Sequence, residues 1–216
     1  MAKTIGLIGG TGAEGRGLAA RFALAGLDVV VGSRTAERGR DAARAVGELV
    51  GGSLRGGTNR EAAQAGEILV LTLPYAGQQE TLADLAEAIG ERIVVTAVVP
   101  LRFTRARVTM AAVEAGSAAE EARDLLPRAR LAGAFHNVSA RDLLDLSRPV
   151  EGDVVVCGED EAAKEAAIEL VAAIADLRGL DGGPLANCRY VEGLTALLVN
   201  LNRIYKAETH VRIVGV

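Results

Sequence analysis

Short runs of apolar and β-branched residues alternate along the chain with longer, alanine-rich stretches in which apolar residues recur at helical spacing. The short runs predict strands that are covered on both faces, and the longer stretches predict helices packed against them. This alternation is typical of a sheet built from β-α-β units. The pattern therefore predicts an α/β fold with a mostly parallel sheet that carries helices on both faces.

Eight strands and seven helices follow from this pattern. The strands are predicted at residues 4–8, 28–32, 53–56, 68–73, 93–98, 130–135, 153–157 and 177–180, and the helices at 13–25, 36–49, 60–65, 78–89, 118–126, 161–175 and 187–205. Residues 102–116 have no clear period and include Arg102, Arg105 and Arg107. That segment is interpreted either as a lid or as an exposed connection.

Three glycines follow the first predicted strand and lead into the first predicted helix. Gly10, Gly12 and Gly15 form a G-x-G-x-x-G sequence directly after an apolar strand. Such glycines permit a sharp turn, a close approach of the backbone to phosphates and tight packing of helix on strand, while the amides at the helix start face an anion. The order of strand, glycines and helix favours a dinucleotide pyrophosphate site over a glycine-rich turn without a ligand.

The end of the second predicted strand indicates which dinucleotide binds. An NAD-specific site usually carries an acidic residue here, whereas this chain has Ser33 followed by Arg34, with Arg38 one helical turn later. A hydroxyl and two guanidinium groups suit the 2′-phosphate of NADP(H). The alternative is that both arginines are ordinary surface residues.

Composition and charge narrow the class of protein. The chain has 216 residues, half of them apolar, and a formal net charge of −4 without a sustained basic patch, which argues against a nucleic-acid partner. No apolar run reaches membrane-spanning length and no signal segment precedes the first strand, so a cytoplasmic location and no membrane partner are expected. Cys157 and Cys188 lack the spacing of metal ligands or of a disulfide framework, and no metal site is expected.

Three segments follow predicted central strands, at the sheet edge where open α/β folds bind ligands. They are residues 73–75, 98–101 and 135–140. Tyr75 is interpreted either as a residue that contacts the cofactor or as a half-buried aromatic at the rim. His136 is a candidate to orient a ring or to supply a proton, and the alternative is a histidine that only braces its loop. His210 is the weaker of the two histidine candidates.

Several motifs together resemble one family. They are residues 9–12, 31–34 and 156–158, together with the C-terminal segment 180–200, and in this order and spacing they are similar to the NADPH-dependent coenzyme F420 reductases over nearly the whole chain. The resemblance implies a Rossmann-type doubly wound fold, with an NADP-binding domain at 1–140 and a small C-terminal α/β extension at 141–216. It also implies a deazaflavin stacked on the nicotinamide, and a homodimer. Residues 101–113 and 206–216 match the family poorly.

Specific residues acquire roles through this resemblance. Thr11, Gly12, Ala13 and Glu14 would hold the pyrophosphate, and Ser33, Arg34 and Arg38 the 2′-phosphate. Tyr75, Leu101 and Ala140 would contact the cofactor, and the candidates for contact with the deazaflavin are His136, Asn137 and Pro184.

The implied activity is direct hydride transfer between C4 of the nicotinamide and C5 of coenzyme F420, in which the protein supplies proximity, orientation and exclusion of water. No catalytic acid or base is assigned, because the chain has no Tyr-x-x-x-Lys or Ser-x-x-x-Lys pair. One alternative is an imine or ketone reductase of the pyrroline-carboxylate reductase type, with His136 or Ser139 near the substrate. The other is an NADPH sensor without turnover, since a fold alone does not fix a reaction.

Overall fold

A computed structural model describes residues 3–216. Its strands are β1 (Thr4–Ile8), β2 (Asp28–Ser33), β3 (Arg55–Thr58), β4 (Ile68–Leu71), β5 (Ile93–Thr96), β6 (Leu101–Phe103), β7 (Val108–Met110), β8 (Arg130–Gly133), β9 (Gly152–Gly158) and β10 (Leu177–Asp181). Its α-helices are α1 (Ala13–Leu24), α2 (Ala36–Val50), α3 (Asn59–Ala65), α4 (Gln78–Ile89), α5 (Ala118–Leu125), α6 (Ala140–Leu144), α7 (Glu161–Ala172) and α8 (Cys188–Tyr205).

Eight strands form one sheet in the order β10-β9-β8-β5-β4-β1-β2-β3. Six neighbouring strands of this sheet, β3, β2, β1, β4, β5 and β8, are parallel to one another. Their order is that of a doubly wound dinucleotide-binding fold. The order reverses between β1 and β4, and the crevice at the carboxyl ends of these strands is the expected ligand site. The predicted Rossmann-type α/β fold is confirmed.

The last two strands of the sheet run in the opposite direction. β9 is antiparallel to β8, with Gly133 opposite Cys157, and β10 is parallel to β9. Both strands lie beyond the predicted domain boundary at residue 140, yet they continue the same sheet. The chain that leaves β10 therefore moves away from the edge at which the six parallel strands end.

Alternation along the central strands builds a core on each face of the sheet. In β1, Leu7 packs on the face covered by α1, α2 and α7, whereas the next residue, Ile8, packs on the face covered by α3, α4, α5 and α8. Val31 and Val30 divide in the same way in β2. Burial on both sides explains why these strands are apolar throughout.

The predicted helices and sheet strands are all present, with ends that differ by a few residues. The structure adds α6, which has only five residues, and a two-stranded sheet formed by β6 and β7. This β6–β7 hairpin occupies the first part of the segment 102–116. It packs on α8, where Asn200 accepts a hydrogen bond from the Val108 nitrogen at 2.9 Å and donates one to the Val108 oxygen at 2.8 Å. Among the described helices, none is long and apolar enough to cross a membrane.

Candidate active site

The glycine loop joins β1 to α1 at the centre of the sheet. Gly9 has a φ of 78°, a left-handed conformation that favours glycine, and the Gly10 nitrogen donates a hydrogen bond to the Gly32 oxygen at 2.9 Å. A Cβ on Gly15 would lie 2.6 Å from the Gly10 Cα, so this glycine lets the helix pack closely against the loop. A Cβ on Gly12 would meet nothing within 4 Å and would project into open space before the α1 N-terminus. That open approach to backbone amides fits a pyrophosphate.

The carboxyl end of β2 carries the residues predicted to select NADP. Ser33 is buried as the last residue of the strand, and Arg34 and Arg38 are exposed at the beginning of α2. Within residues 3–216, neither arginine forms a salt bridge. Two uncompensated guanidinium groups beside a helix N-terminus fit a phosphate dianion.

A cavity of about 490 Å³ opens at the carboxyl ends of β4, β5 and β8. All three segments predicted to lie at this edge contribute to it, and its walls are largely apolar. The lining residues are Glu14, Leu73, Pro74, Tyr75, Ala76, Ala97, Val98, Val99, Leu101, Arg102, Phe103, Ala111, His136, Val138 and Thr195. Aliphatic walls that leave a slot beside the glycine loop suit flat rings.

His136 belongs to the cavity lining and follows an unusual backbone turn at the end of β8. The preceding residue, Phe135, has a φ of 66° and is fully buried, with its ring 6.1 Å from that of Phe22 in an edge-to-face arrangement. His136 is only 4% exposed, and neither ring nitrogen has a hydrogen-bond partner within the described chain. Burial lowers the pKa of His136 to about 4, so the imidazole is neutral at physiological pH.

Glu14 contributes a second titratable group to the cavity. It lies in the first turn of α1, directly after the glycine loop, and burial raises the pKa of its carboxyl to about 8. The carboxyl is therefore mainly protonated at neutral pH and can donate a hydrogen bond. A protonated acid beside a pyrophosphate avoids the repulsion that a carboxylate would cause.

Tyr75 lines the cavity and is half-buried at its rim, and its contact with the cofactor stays a prediction. Its hydroxyl donates a hydrogen bond to Glu121 at 3.1 Å, and Gln78 donates one to the same carboxylate at 2.7 Å. Burial, followed by the charge of Glu121, raises the pKa of the Tyr75 phenol. These contacts fix the ring at the cavity wall.

Of the six residues predicted to contact the rings of the two coenzymes, three lie outside the cavity lining. The Asn137 side chain turns to α8, where it donates hydrogen bonds to the Val191 oxygen at 2.9 Å and to the Thr195 hydroxyl at 2.8 Å. Ala140 begins α6, next to the loop but not in the cavity wall. Pro184 follows β10, whose direction carries the chain away from the cavity, and its predicted contact with the deazaflavin has no support in this geometry.

The cavity also contains residues that were not predicted for it. Thr195 comes from the middle of α8, and its hydroxyl donates a hydrogen bond to the His136 oxygen at 2.8 Å. Arg102 and Phe103 come from the β6–β7 hairpin, which forms one rim. Apolar periodicity cannot identify Thr195, because its position depends on how α8 packs against the β8 loop. Within the described residues, no group of three or more His, Cys, Asp and Glu side chains is arranged to hold a metal ion.

Comparison with known proteins decides the family. Residues 4–100 match the family described as NADP oxidoreductase, coenzyme F420-dependent. The chain is 40% identical over 209 residues to the F420-dependent NADP reductase of Methanothermobacter thermautotrophicus, covering 94% of this chain and 90% of that protein. The chain belongs to the F420-dependent NADP reductase family. A second family member, from Methanocaldococcus jannaschii, is 36% identical and covers 97% of both chains.

Solved structures support the fold of this family. The crystal structure of a provisionally assigned F420-dependent NADP reductase from Arthrobacter sp. FB24 matches with a TM-score of 0.83 over 100% of both chains, at 23% identity. An imine reductase from Bacillus cereus matches with a TM-score of 0.63 at 19% identity, covering 94% of this chain and 63% of that one. At these identities the likeness concerns the fold alone.

Proposed function

We propose that this chain is an oxidoreductase that transfers a hydride between NADP(H) and coenzyme F420. The main support is the sequence identity of 36–40% between this chain and F420-dependent NADP reductases, over more than nine-tenths of the chain. The largely apolar cavity beside the glycine loop supports the same activity, because hydride transfer requires two flat rings in contact and shielded from water. The implied cofactors are NADP(H) and F420.

We propose the following roles at the NADP end. The loop Gly10, Thr11, Gly12, Ala13, Glu14 and Gly15 binds the pyrophosphate through backbone amides at the α1 N-terminus. Ser33, Arg34 and Arg38 bind the 2′-phosphate. The exposed guanidinium groups without carboxylate partners support this assignment.

At the end of the site that would hold the two rings, the protein contributes cavity walls and neutral polar groups. When bound, the two coenzymes supply both reacting carbons, so the chain needs no nucleophile. We propose that Tyr75 and Leu101 orient the stacked rings and exclude water. His136 lines the same cavity, and its buried ring is neutral, so it adds no charge beside the hydride path.

The test follows the visible absorbance of oxidised F420 after NADPH is added to the purified protein, with NADH and FMN in parallel. We expect bleaching with NADPH and F420 only. Bleaching with NADH at the same rate would overturn the assignment of Ser33, Arg34 and Arg38. Tight NADPH binding without bleaching would contradict the proposed reaction and would favour the imine-reductase or the sensor alternative.

We further propose a cytoplasmic homodimer. Three exposed apolar residues, Tyr190, Leu197 and Ile204, recur every seven residues along α8 and form a stripe suited to the same helix of a second copy. Sedimentation should show a dimer for the unmodified chain and a monomer for Leu197→Glu; a dimer in both would place the interface elsewhere. Two buried free thiols, Cys157 and Cys188, are typical of a reducing compartment.

A further inference from the structure

The β6–β7 hairpin has an arginine-rich tip at the rim of the cavity. Residues 102–107 are all exposed, and they include Arg102, Arg105 and Arg107. The tip is a fixed turn. The Thr104 nitrogen donates to the Arg107 oxygen at 3.0 Å, and the Thr104 hydroxyl accepts from the Arg107 nitrogen at 3.0 Å. The arginines are therefore presented by an ordered element.

No acidic side chain of the described chain neutralises this tip. Arg102, Arg105 and Arg107 form no salt bridge within residues 3–216, whereas Arg178 pairs with Asp153 at 2.8 Å and Arg189 with Glu120 at 3.0 Å. The whole chain has a net charge of −4, whereas these six residues carry three arginines and no acidic residue, so the tip is locally positive. Such a concentration of charge is suited to an anion that approaches the cavity.

The hairpin is also held in one position relative to the cavity. Arg102 and Phe103 line the cavity, so the charged tip continues directly from its wall. The two hydrogen bonds between Asn200 and Val108 attach the hairpin to α8, which also supplies Thr195 to the cavity lining. The guanidinium groups of Arg105 and Arg107 are therefore carried by the same ordered hairpin whose first strand lines the cavity.

We propose that the β6–β7 hairpin binds the anionic tail of the deazaflavin coenzyme through Arg102, Arg105 and Arg107. This inference rests on the proposed function. Beyond its ring, F420 carries a phosphodiester and glutamate carboxylates, and guanidinium groups bind both kinds of anion with charge-assisted hydrogen bonds. Under the proposed function the glycine loop and Arg34 hold the phosphates of NADP(H), so each coenzyme would have its own anchor for anionic groups.

The test measures equilibrium binding rather than turnover. Oxidised F420 and its tail-free alcohol, which has the same ring and ribityl chain but neither phosphate nor glutamate, are each titrated into the NADP-loaded protein, and binding is followed through deazaflavin fluorescence. Arg105→Gln/Arg107→Gln should weaken F420 binding about tenfold and change binding of the alcohol less than about twofold. At about 0.5 M KCl, the preference of the unmodified protein for F420 over the alcohol should shrink, because salt screens exposed charges.

A matched control removes the same charge elsewhere. Arg123→Gln/Arg128→Gln changes two exposed arginines near the end of α5 and in the loop before β8, and it should leave both affinities unchanged. The proposal would be overturned if the hairpin variant bound F420 and the alcohol more weakly by the same factor. It would also be overturned if both double variants weakened F420 binding equally. Failure of the unmodified protein to bleach F420 with NADPH would instead contradict the proposed function.

Discussion

Gly12 and Gly15 belong to the same loop, yet the structure predicts opposite consequences for alanine at the two positions. A Cβ on Gly15 would lie 2.6 Å from the Gly10 Cα and 2.8 Å from the Gly10 carbonyl carbon. Ordinary contact begins at about 3.4 Å, so the loop would have to move by about 0.8 Å. Overpacking of this size costs about 1 to 3 kcal/mol, which for a chain of this length lowers Tm by about 3 to 10 °C.

Gly12 has space for a methyl group but only while the site is empty. Nothing lies within 4 Å of its Cβ position, so Gly12→Ala should change the Tm of the ligand-free protein by less than about 2 °C. The methyl group would occupy the path by which the pyrophosphate reaches the α1 amides. Loss of one charged hydrogen bond, about 2 kcal/mol, corresponds to about a thirtyfold rise in Kd for NADPH.

Thermal unfolding of the ligand-free variants and calorimetric titration with NADPH separate the two effects. Gly15→Ala should lower the Tm of the ligand-free protein, whereas Gly12→Ala should raise the Kd for NADPH without lowering that Tm. Unchanged NADPH affinity in Gly12→Ala would refute the assignment of this loop to the pyrophosphate. An unchanged Tm in Gly15→Ala would show that the loop yields more easily than its close packing implies.

Three further perturbations test the rest of the site. Arg34→Ala should raise the Kd of NADPH about tenfold and leave that of NADH within about twofold, because only NADPH has the 2′-phosphate; equal losses would contradict this role. Since the pKa of Glu14 is raised to about 8, its carboxyl gains charge only above that pH, and the Kd of NADPH should rise there by up to about tenfold per pH unit. Glu14→Gln should remove this rise, and an unaltered pH profile would assign it to another group. Asn200→Ala should speed amide hydrogen exchange of the β6–β7 hairpin without affecting β1, whereas uniform acceleration would indicate general destabilisation.

The sequence pattern was sufficient for the sheet because its strands are buried on both faces and therefore stand out as apolar runs. It could not indicate the direction of β9, since an apolar strand has the same period whether it runs parallel or antiparallel to its neighbour. The β6–β7 hairpin was missed for another reason. Its strands have three residues each, and among these residues only Val108 is fully buried, so no alternation of apolar and polar residues marks them.

Some residues of the site could likewise be identified from the sequence, and others could not. Glu14, Tyr75, Leu101 and His136, to which the resemblance assigns roles, all line the cavity. Each belongs to a segment that follows a strand or the glycine loop, where the fold itself determines the position. Thr195 could not be found in this way, because it reaches the cavity only through the packing of α8. Asn137 was placed on the correct loop, but its amide is satisfied by α8 rather than directed to the cavity.

The β6–β7 hairpin forms a separate two-stranded sheet and is attached to α8 through Asn200. Substitutions or length changes in its exposed tip would leave the register of the eight-stranded sheet intact. The two parts of the site should therefore tolerate substitution differently. The glycine loop leaves no space for a Cβ at Gly15, whereas the exposed hairpin tip can vary in sequence and length without disturbing that packing.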